Sequence, residues 1–211
     1  MFLLLTFANA WAAEPNKEIQ ISTTQTNANA VEVLGADQLS GIELSFVYGL
    51  SDALGIGVSY NYGQIITNHS VGANNGYYDE YDDYYYEPEF DQFESDFTQH
   101  QLQLGPRYSY GFRDWLSLYG KAEGVVSYSS VYATPSLEDK NPNPEITGSA
   151  VSFGGIVAGG VTGSLSLGKD VPTLLLSFEI GYGLQSPAQY QSIGDLDLSG
   201  GYSAFGLGAR F

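Results

Sequence analysis

The chain contains no cysteine in its 211 residues, so neither a disulfide nor a thiolate metal site can form. Lysine and arginine number 7 against 24 aspartates and glutamates, and the formal net charge of -17 has the wrong sign for a nucleic-acid partner. Only two histidines, His69 and His100, could act as bases near neutral pH, which leaves catalysis little to work with. Long apolar runs are missing as well: the stretch from Phe2 to Ala8 is far shorter than the roughly 20 residues a helix needs to cross a membrane. A chain of this kind that enters a membrane must do so as a closed barrel, because only closure satisfies every strand's backbone groups in lipid.

What the sequence does have is glycine, 26 residues, and tyrosine, 17, a mixture suited to strands, tight turns and interfacial rings. Apolar and polar residues alternate in seven segments. In 39–49, Ile42, Leu44, Phe46 and Tyr48 share one face and Glu43 lies on the other. The same two-residue period runs through 54–63, 97–110, 115–128, 149–167, 173–183 and 201–211, the last setting Phe205, Leu207, Ala209 and Phe211 against Tyr202, Ala204 and Arg210. Short connections (50–53, 111–114, 168–172) take turns with long polar ones (64–96, 129–148, 184–199), which is the habit of membrane barrels with short periplasmic turns and long outer loops. An even strand number requires one more crossing within 18–34. That strand is weak, since Thr23, Gln25, Asn27 and Asn29 would face lipid, and the conflict is met either by embedding only the strand's ends or by a bulge.

Aromatic residues gather toward strand ends: Tyr48, Tyr108, Tyr110, Trp115 and Phe211 near short turns, and Tyr60, Tyr62, Tyr128 and Tyr182 near long loops. Two such girdles fit two lipid–water interfaces. The competing architecture is a soluble lipocalin-like barrel, in which the apolar face would line the lumen and the charges would face water. The membrane reading places Glu43, Arg107, Lys121, Glu123, Glu179 and Arg210 inside. Three acids against three bases then predict paired, hydrogen-bonded networks that fill the lumen, since unpaired burial costs several kcal/mol per ion. Glycines on the same face (Gly55, Gly57, Gly105, Gly181, Gly183, Gly206, Gly208) support an alternative, a narrow channel for ions or small solutes.

Connection 64–96 is strongly acidic. Asp79, Glu80, Asp82, Asp83, Glu87, Glu89, Asp91, Glu94 and Asp96 stand among six tyrosines, Tyr77, Tyr78, Tyr81, Tyr84, Tyr85 and Tyr86, with no basic residue in 76–96. The segment is expected to present an anionic, ring-rich surface to an extracellular ligand or a divalent cation. It is not an EF-hand, because counting from Asp79 the third and sixth positions are Tyr81 and Tyr84, where an acid and a glycine are required.

Residues 1–13, MFLLLTFANAWAA, read as a secretory signal peptide cleaved after Ala12; the basic residues that usually open such a leader are missing, which places the true start upstream of Met1. Residues 13–211 form the expected barrel. Together with GLSDALGIG (49–57), GPRYSYGFRDWLSLYGKAEG (105–124) and the ending GLGARF (206–211), this leader makes the chain resemble the small eight-stranded outer-membrane barrels, the OmpA-like transmembrane domain and opacity-type proteins. The resemblance implies an all-β, eight-stranded antiparallel up-and-down transmembrane β-barrel in the bacterial outer membrane. It implies Phe211 as an assembly signal read by the barrel-assembly machinery, lipid and lipopolysaccharide as surroundings, no cofactor, and a structural or adhesive role rather than an enzymatic one. The weakest reading is a lipid A-modifying enzyme. His100-Gln101-Leu102 lacks the His-x-Ser pattern of the deacylases, and no spacing joins His69, Ser70 and Asp79 into the set a palmitoyltransferase uses.

Overall fold

A computed structural model describes residues 16–28, 38–72, 78–79, 84–85, 90–135, 146–166, 168, 171–190 and 194–211. Residues 1–13, expected from sequence to be a signal peptide, lie outside the described residues. Eight strands close into one antiparallel barrel: β1 (Lys17–Ala28), β2 (Leu39–Gly49), β3 (Leu54–Gly72), β6 (Phe90–Arg113), β7 (Leu116–Pro135), β8 (Ile146–Leu165), β9 (Thr173–Gln185) and β12 (Gly200–Arg210). Neighbours in the wall are neighbours in sequence, and β12 closes the ring against β1. Two small hairpins complete the set: β4 (Tyr78–Asp79) with β5 (Tyr84–Tyr85), and β10 (Ala188–Tyr190) with β11 (Gly194–Leu196).

The wall is inside out relative to a water-soluble protein. Outward-facing Leu102, Leu104, Phe153, Val157, Ile180, Leu184 and Leu207 each expose more than half of their surface, whereas Ser59, Ser127, Ser129, Ser152 and Thr162 are fully buried inside. A lipocalin-like barrel would show the reverse. Such an exterior is stable only against hydrocarbon, so the barrel spans a membrane. Of the aromatic side chains expected at both edges, Tyr48, Tyr108, Tyr110, Trp115 and Phe211 at the short-turn end and Tyr60, Tyr128 and Tyr182 at the other are exposed, while Tyr62 is half-buried and donates its hydroxyl to Gln64 Oε1 at 3.2 Å.

Three boundaries differ from the sequence reading. Strands β3 and β6 stay paired from Leu54–Tyr108 out to Gly72–Phe90, so much of 64–96 is a two-stranded ribbon rather than a loop. Strand β7 runs to Pro135 and β8 begins at Ile146, which shortens the 129–148 connection in the same way. Segment 184–199 folds back as the β10–β11 hairpin. Ladder hydrogen bonds need no apolar face, and strands therefore continue past the point where the hydrophobic alternation stops.

The weak first strand needs no bulge. Its register is unbroken on both sides, and Thr23, Gln25 and Asn27 do face outward, Thr23 opposite Ile42 and Phe205, and Gln25 opposite Ser40 and Ser203. Toward its short-turn end the same face turns apolar at Ile19 and Ile21. The turns at that end are tight: Ser51 Oγ accepts from the backbone amides of Ala53 (3.3 Å) and Leu54 (3.0 Å), and the β6–β7 connection is reduced to Asp114 and Trp115. Phe211 is held by its backbone, its amide donating to the Lys17 carbonyl at 2.9 Å.

Candidate functional site

The lumen is the site that the fold builds. Inward positions recur at every second residue of all eight strands, and the side chains there form layers stacked along the barrel axis. Nearest the short turns, Glu18 lies between two arginines. Arg210 donates to its Oε1 from Nε at 2.8 Å, with Nη2 at 2.6 Å, and Arg107 Nη1 lies 3.3 Å from Oε2. Arg107 also donates from Nη2 to Thr162 Oγ1 at 3.3 Å and stacks on Tyr119, its guanidinium carbon 3.9 Å from the ring centroid.

One layer further in, Lys121 Nζ stands 3.0 Å from Glu123 Oε2 and 3.0 Å from Glu179 Oε1. Tyr202 donates its hydroxyl to Glu179 Oε1 at 2.5 Å. Glu43 lines the same small cavity as these groups, a space of about 20 Å3, enough for roughly one water. The lumen thus holds Glu18, Glu43, Glu123 and Glu179 against Arg107, Lys121 and Arg210. The expected balance of three against three omits Glu18, which sits at the start of the weakest strand yet shares the inward phase of Gln20, Ser22 and Thr24. Of the six residues named from sequence, Arg107 and Arg210 meet at Glu18, Lys121, Glu123 and Glu179 meet one layer deeper, and Glu43 lines the cavity beside the second group.

Above the ions comes a neutral polar layer. Ser59 donates to Gln103 (3.1 Å), Gln103 to Gln101 (3.2 Å), Gln99 to Ser127 (3.0 Å) and Asn61 to Thr24 (3.2 Å). The far end is apolar. Ala28, Leu39, Ile65, Phe97, Val131 and Ala150 turn inward there, and the returning segment seats Ala188, Tyr190, Leu196 and Leu198 among them. Tyr190 hydrogen-bonds Ser129, and Ser199 fastens the segment to β9, accepting from the Gln185 amide at 3.0 Å.

Three of the lumen glycines stand against side chains of other strands. A Cβ at Gly57 would stand 3.0 Å from the Glu123 carboxylate, one at Gly181 would meet the Tyr202 ring at 2.5 Å, and one at Gly206 would strike the Gln20 amide. Each glycine makes room for a long side chain from a facing strand. The same logic fixes Gly105, where a Cβ would press on the Glu123 Cα at 2.7 Å and on the Ala122 carbonyl. This is a backbone-to-backbone approach that no side chain can relieve.

The remaining candidates are placed as follows. Asp79 sits in β4 opposite Tyr84, and Asp91, Glu94 and Asp96 lie in β6 opposite Val71, Asn68 and Ile66. Asp96 accepts a hydrogen bond from Gln64 Nε2 at 3.1 Å. Glu80, Asp82, Asp83, Glu87 and Glu89 fall outside the described residues, and among the described residues no group of three or more His, Asp or Glu is placed to hold a metal. His69 and Ser70 belong to β3, opposite Phe93 and Gln92. His100 joins the girdle, its Nδ1 2.7 Å from the Tyr60 hydroxyl and its ring 5.2 Å from that of Tyr62.

No known protein family and no curated protein sequence matches the chain. Among solved structures, it is similar to the outer membrane protein OprG from Pseudomonas aeruginosa, at 14% identity over 94% of this chain and 96% of that one, with a TM-score of 0.51. It is also similar to Ail, the attachment invasion locus protein of Yersinia pestis (15% identity, 94% and 100% covered, TM-score 0.49), and to Neisserial surface protein A (13% identity, 93% and 95% covered, TM-score 0.45). The likeness to OprG identifies the fold as that of a small outer-membrane β-barrel.

Proposed function

We propose that this chain is a non-enzymatic surface barrel of the bacterial outer membrane, anchored in lipid and lipopolysaccharide, with a closed lumen and a ribbon that carries an acidic, tyrosine-rich tip for binding outside the cell. The observation that carries this reading is the doubly filled lumen: ion pairs occupy its middle, and an apolar hairpin occupies its far mouth. Both closures oppose conduction, one by packing and one by excluding water. The barrel should therefore be silent in planar bilayers. Stable unitary currents that shift with Lys121→Ala or Glu179→Ala would replace this reading with the channel.

The binding part rests on the ribbon. Strands β3 and β6 run on past the girdle to Gly72 and Phe90, and the sequence between those two residues holds acids and tyrosines without a lysine or arginine. Clustered carboxylates repel one another, and a divalent cation or a basic partner relieves that repulsion. Weak calcium binding, of millimolar order as in flexible extracellular sites, is expected. Gly72 and Phe90 are register partners, so residues 73–89 can be replaced by a two-residue turn without disturbing the wall. Calorimetry should give heat of calcium binding from the intact protein and none from the shortened one. Equal heats from both would leave the acidic segment as a solvated surface and remove the reason for a binding role.

A further inference from the structure

The described lumen carries one more acid than base. Glu18, Glu43, Glu123 and Glu179 face Arg107, Lys121 and Arg210, while Asp52, Arg113 and Asp114 stand exposed at the rim and are hydrated there. The surplus charge has an address. Glu18 is held by two arginines, and Lys121 stands 3.0 Å from both Glu123 and Glu179. Glu43 is only 5% exposed, yet it makes no hydrogen bond and no ion pair with any described residue. A buried carboxylate without a partner is among the costliest groups a packed interior can hold.

Glu43 lines the space of about 20 Å3 beside Lys121, and Ser22 and Ser45 bring hydroxyl groups to the same space. Ser22 is the register partner of Glu43 across β1 and β2, and Ser45 follows Glu43 by two residues on the same face. The donor set is therefore one carboxylate with hydroxyl oxygens, not three carboxylates, since Lys121 already engages the other two. It is too poor for calcium or magnesium, which take about six or more oxygens, and a divalent ion would turn a deficit of one positive charge into an excess. A proton on Glu43 would cancel the charge but leave the space to water. A bare monovalent cation does both.

We propose that Glu43, with Ser22 and Ser45, holds one small monovalent cation, sodium or potassium, inside the lumen. Glu43 is the principal ligand, and the ion brings the described lumen to neutrality. It is a fixed part of the packing rather than a passing ion, because the apolar hairpin closes the far mouth. Exchange runs through the short-turn vestibule of about 210 Å3, where Glu18, Asp52 and Asp114 match Arg107, Arg113 and Arg210, so that neither sign of charge is barred. The seat is independent of the binding role given to the ribbon.

The test refolds the full-length barrel into neutral-lipid vesicles without divalent ions, replacing N-methylglucamine chloride stepwise by sodium or potassium chloride. Ionic strength stays constant, so screening does not change. A cation bound only by the folded state raises the denaturant midpoint by mass action, and the rise should saturate with sodium, potassium or both. Glu43→Gln should weaken that response about tenfold or more in apparent affinity, the loss of a charged ligand, whereas Asp52→Asn at the rim leaves it within about twofold. The gel shift on boiling shows whether each variant is folded. Should Glu43→Gln fail to fold, thallium(I) serves as the probe on the wild type, and one bound thallium NMR signal per barrel is expected. A midpoint that follows pH but not the identity of the cation would assign the neutralising charge to a proton and overturn the proposal. So would a midpoint indifferent to both, a full response in folded Glu43→Gln, or the absence of a bound thallium signal.

Discussion

Replacing Lys121 with methionine should lower the unfolding free energy of the barrel by about 3–5 kcal/mol, the cost of leaving buried charge without its partner. Lys121 is the cation shared by Glu123 and Glu179, each 3.0 Å away, and Glu43 lines the same small cavity. Methionine keeps most of the volume and removes the charge, so packing alone cannot account for a large loss. Restoring neutrality with Glu123→Gln and Glu179→Gln in the Lys121→Met background should recover much of it, because the penalty lies in the uncompensated carboxylates rather than in the missing lysine. Denaturant unfolding in lipid vesicles measures both effects. An unchanged midpoint for Lys121→Met would mean that water reaches the ions freely and that the lumen is not packed.

The second large effect is expected on the opposite face of the same wall. Val157 is among the most exposed apolar residues, at 67%, and its neighbour Ala158 points inward opposite Lys121. This register puts Val157 at the depth of the ionic layer, near the middle of the lipid belt. Val157→Arg should destabilise the barrel by about 2–4 kcal/mol, whereas Leu165→Arg, at the end of β8, should cost only about 0–1 kcal/mol. In a water-soluble barrel both changes would be close to neutral. The comparison between the two sites matters more than either value, since a generic defect in β8 would not depend on depth.

Much of the wall was legible because lipid on one side and packed polar groups on the other impose the two-residue period on every crossing. Segment 54–63 is typical: Ile56, Val58 and Tyr60 face out, while Gly55, Gly57 and Ser59 are buried inside. Strand ends were less legible. Ile65 and Phe97 still turn inward to the apolar mouth, and backbone pairing carries β3 and β6 on from there to Gly72 and Phe90.

The lumen was read in part. Phase puts six charged residues on the inner face but passes over Glu18 at the start of the weakest strand, and phase does not say which ions meet. The division into a Glu18 cluster and a Lys121 cluster depends on strand stagger, which brings β1, β6 and β12 together at one depth and β7 and β9 at another. The apolar mouth was missed because 184–199 reads as a polar connection on average. Its signal was present in the alternation of Tyr190, Leu196 and Leu198 with Gln189, Asp195 and Asp197, too short to stand out beside the long strands. The lumen glycines allow two readings in sequence for a related reason. A glycine looks like empty space in a sequence, and only the facing strand shows that Glu123, Tyr202 or Gln20 fills it.

The central claim is that the apolar face of this wall touches lipid. Because the chain has no cysteine, Val157→Cys provides a single site for a spin label without further substitution. In reconstituted bilayers, the label should collide frequently with oxygen, which dissolves in hydrocarbon, and rarely with a polar nickel chelate. Frequent collisions with the chelate and few with oxygen would place Val157 in water and contradict the account.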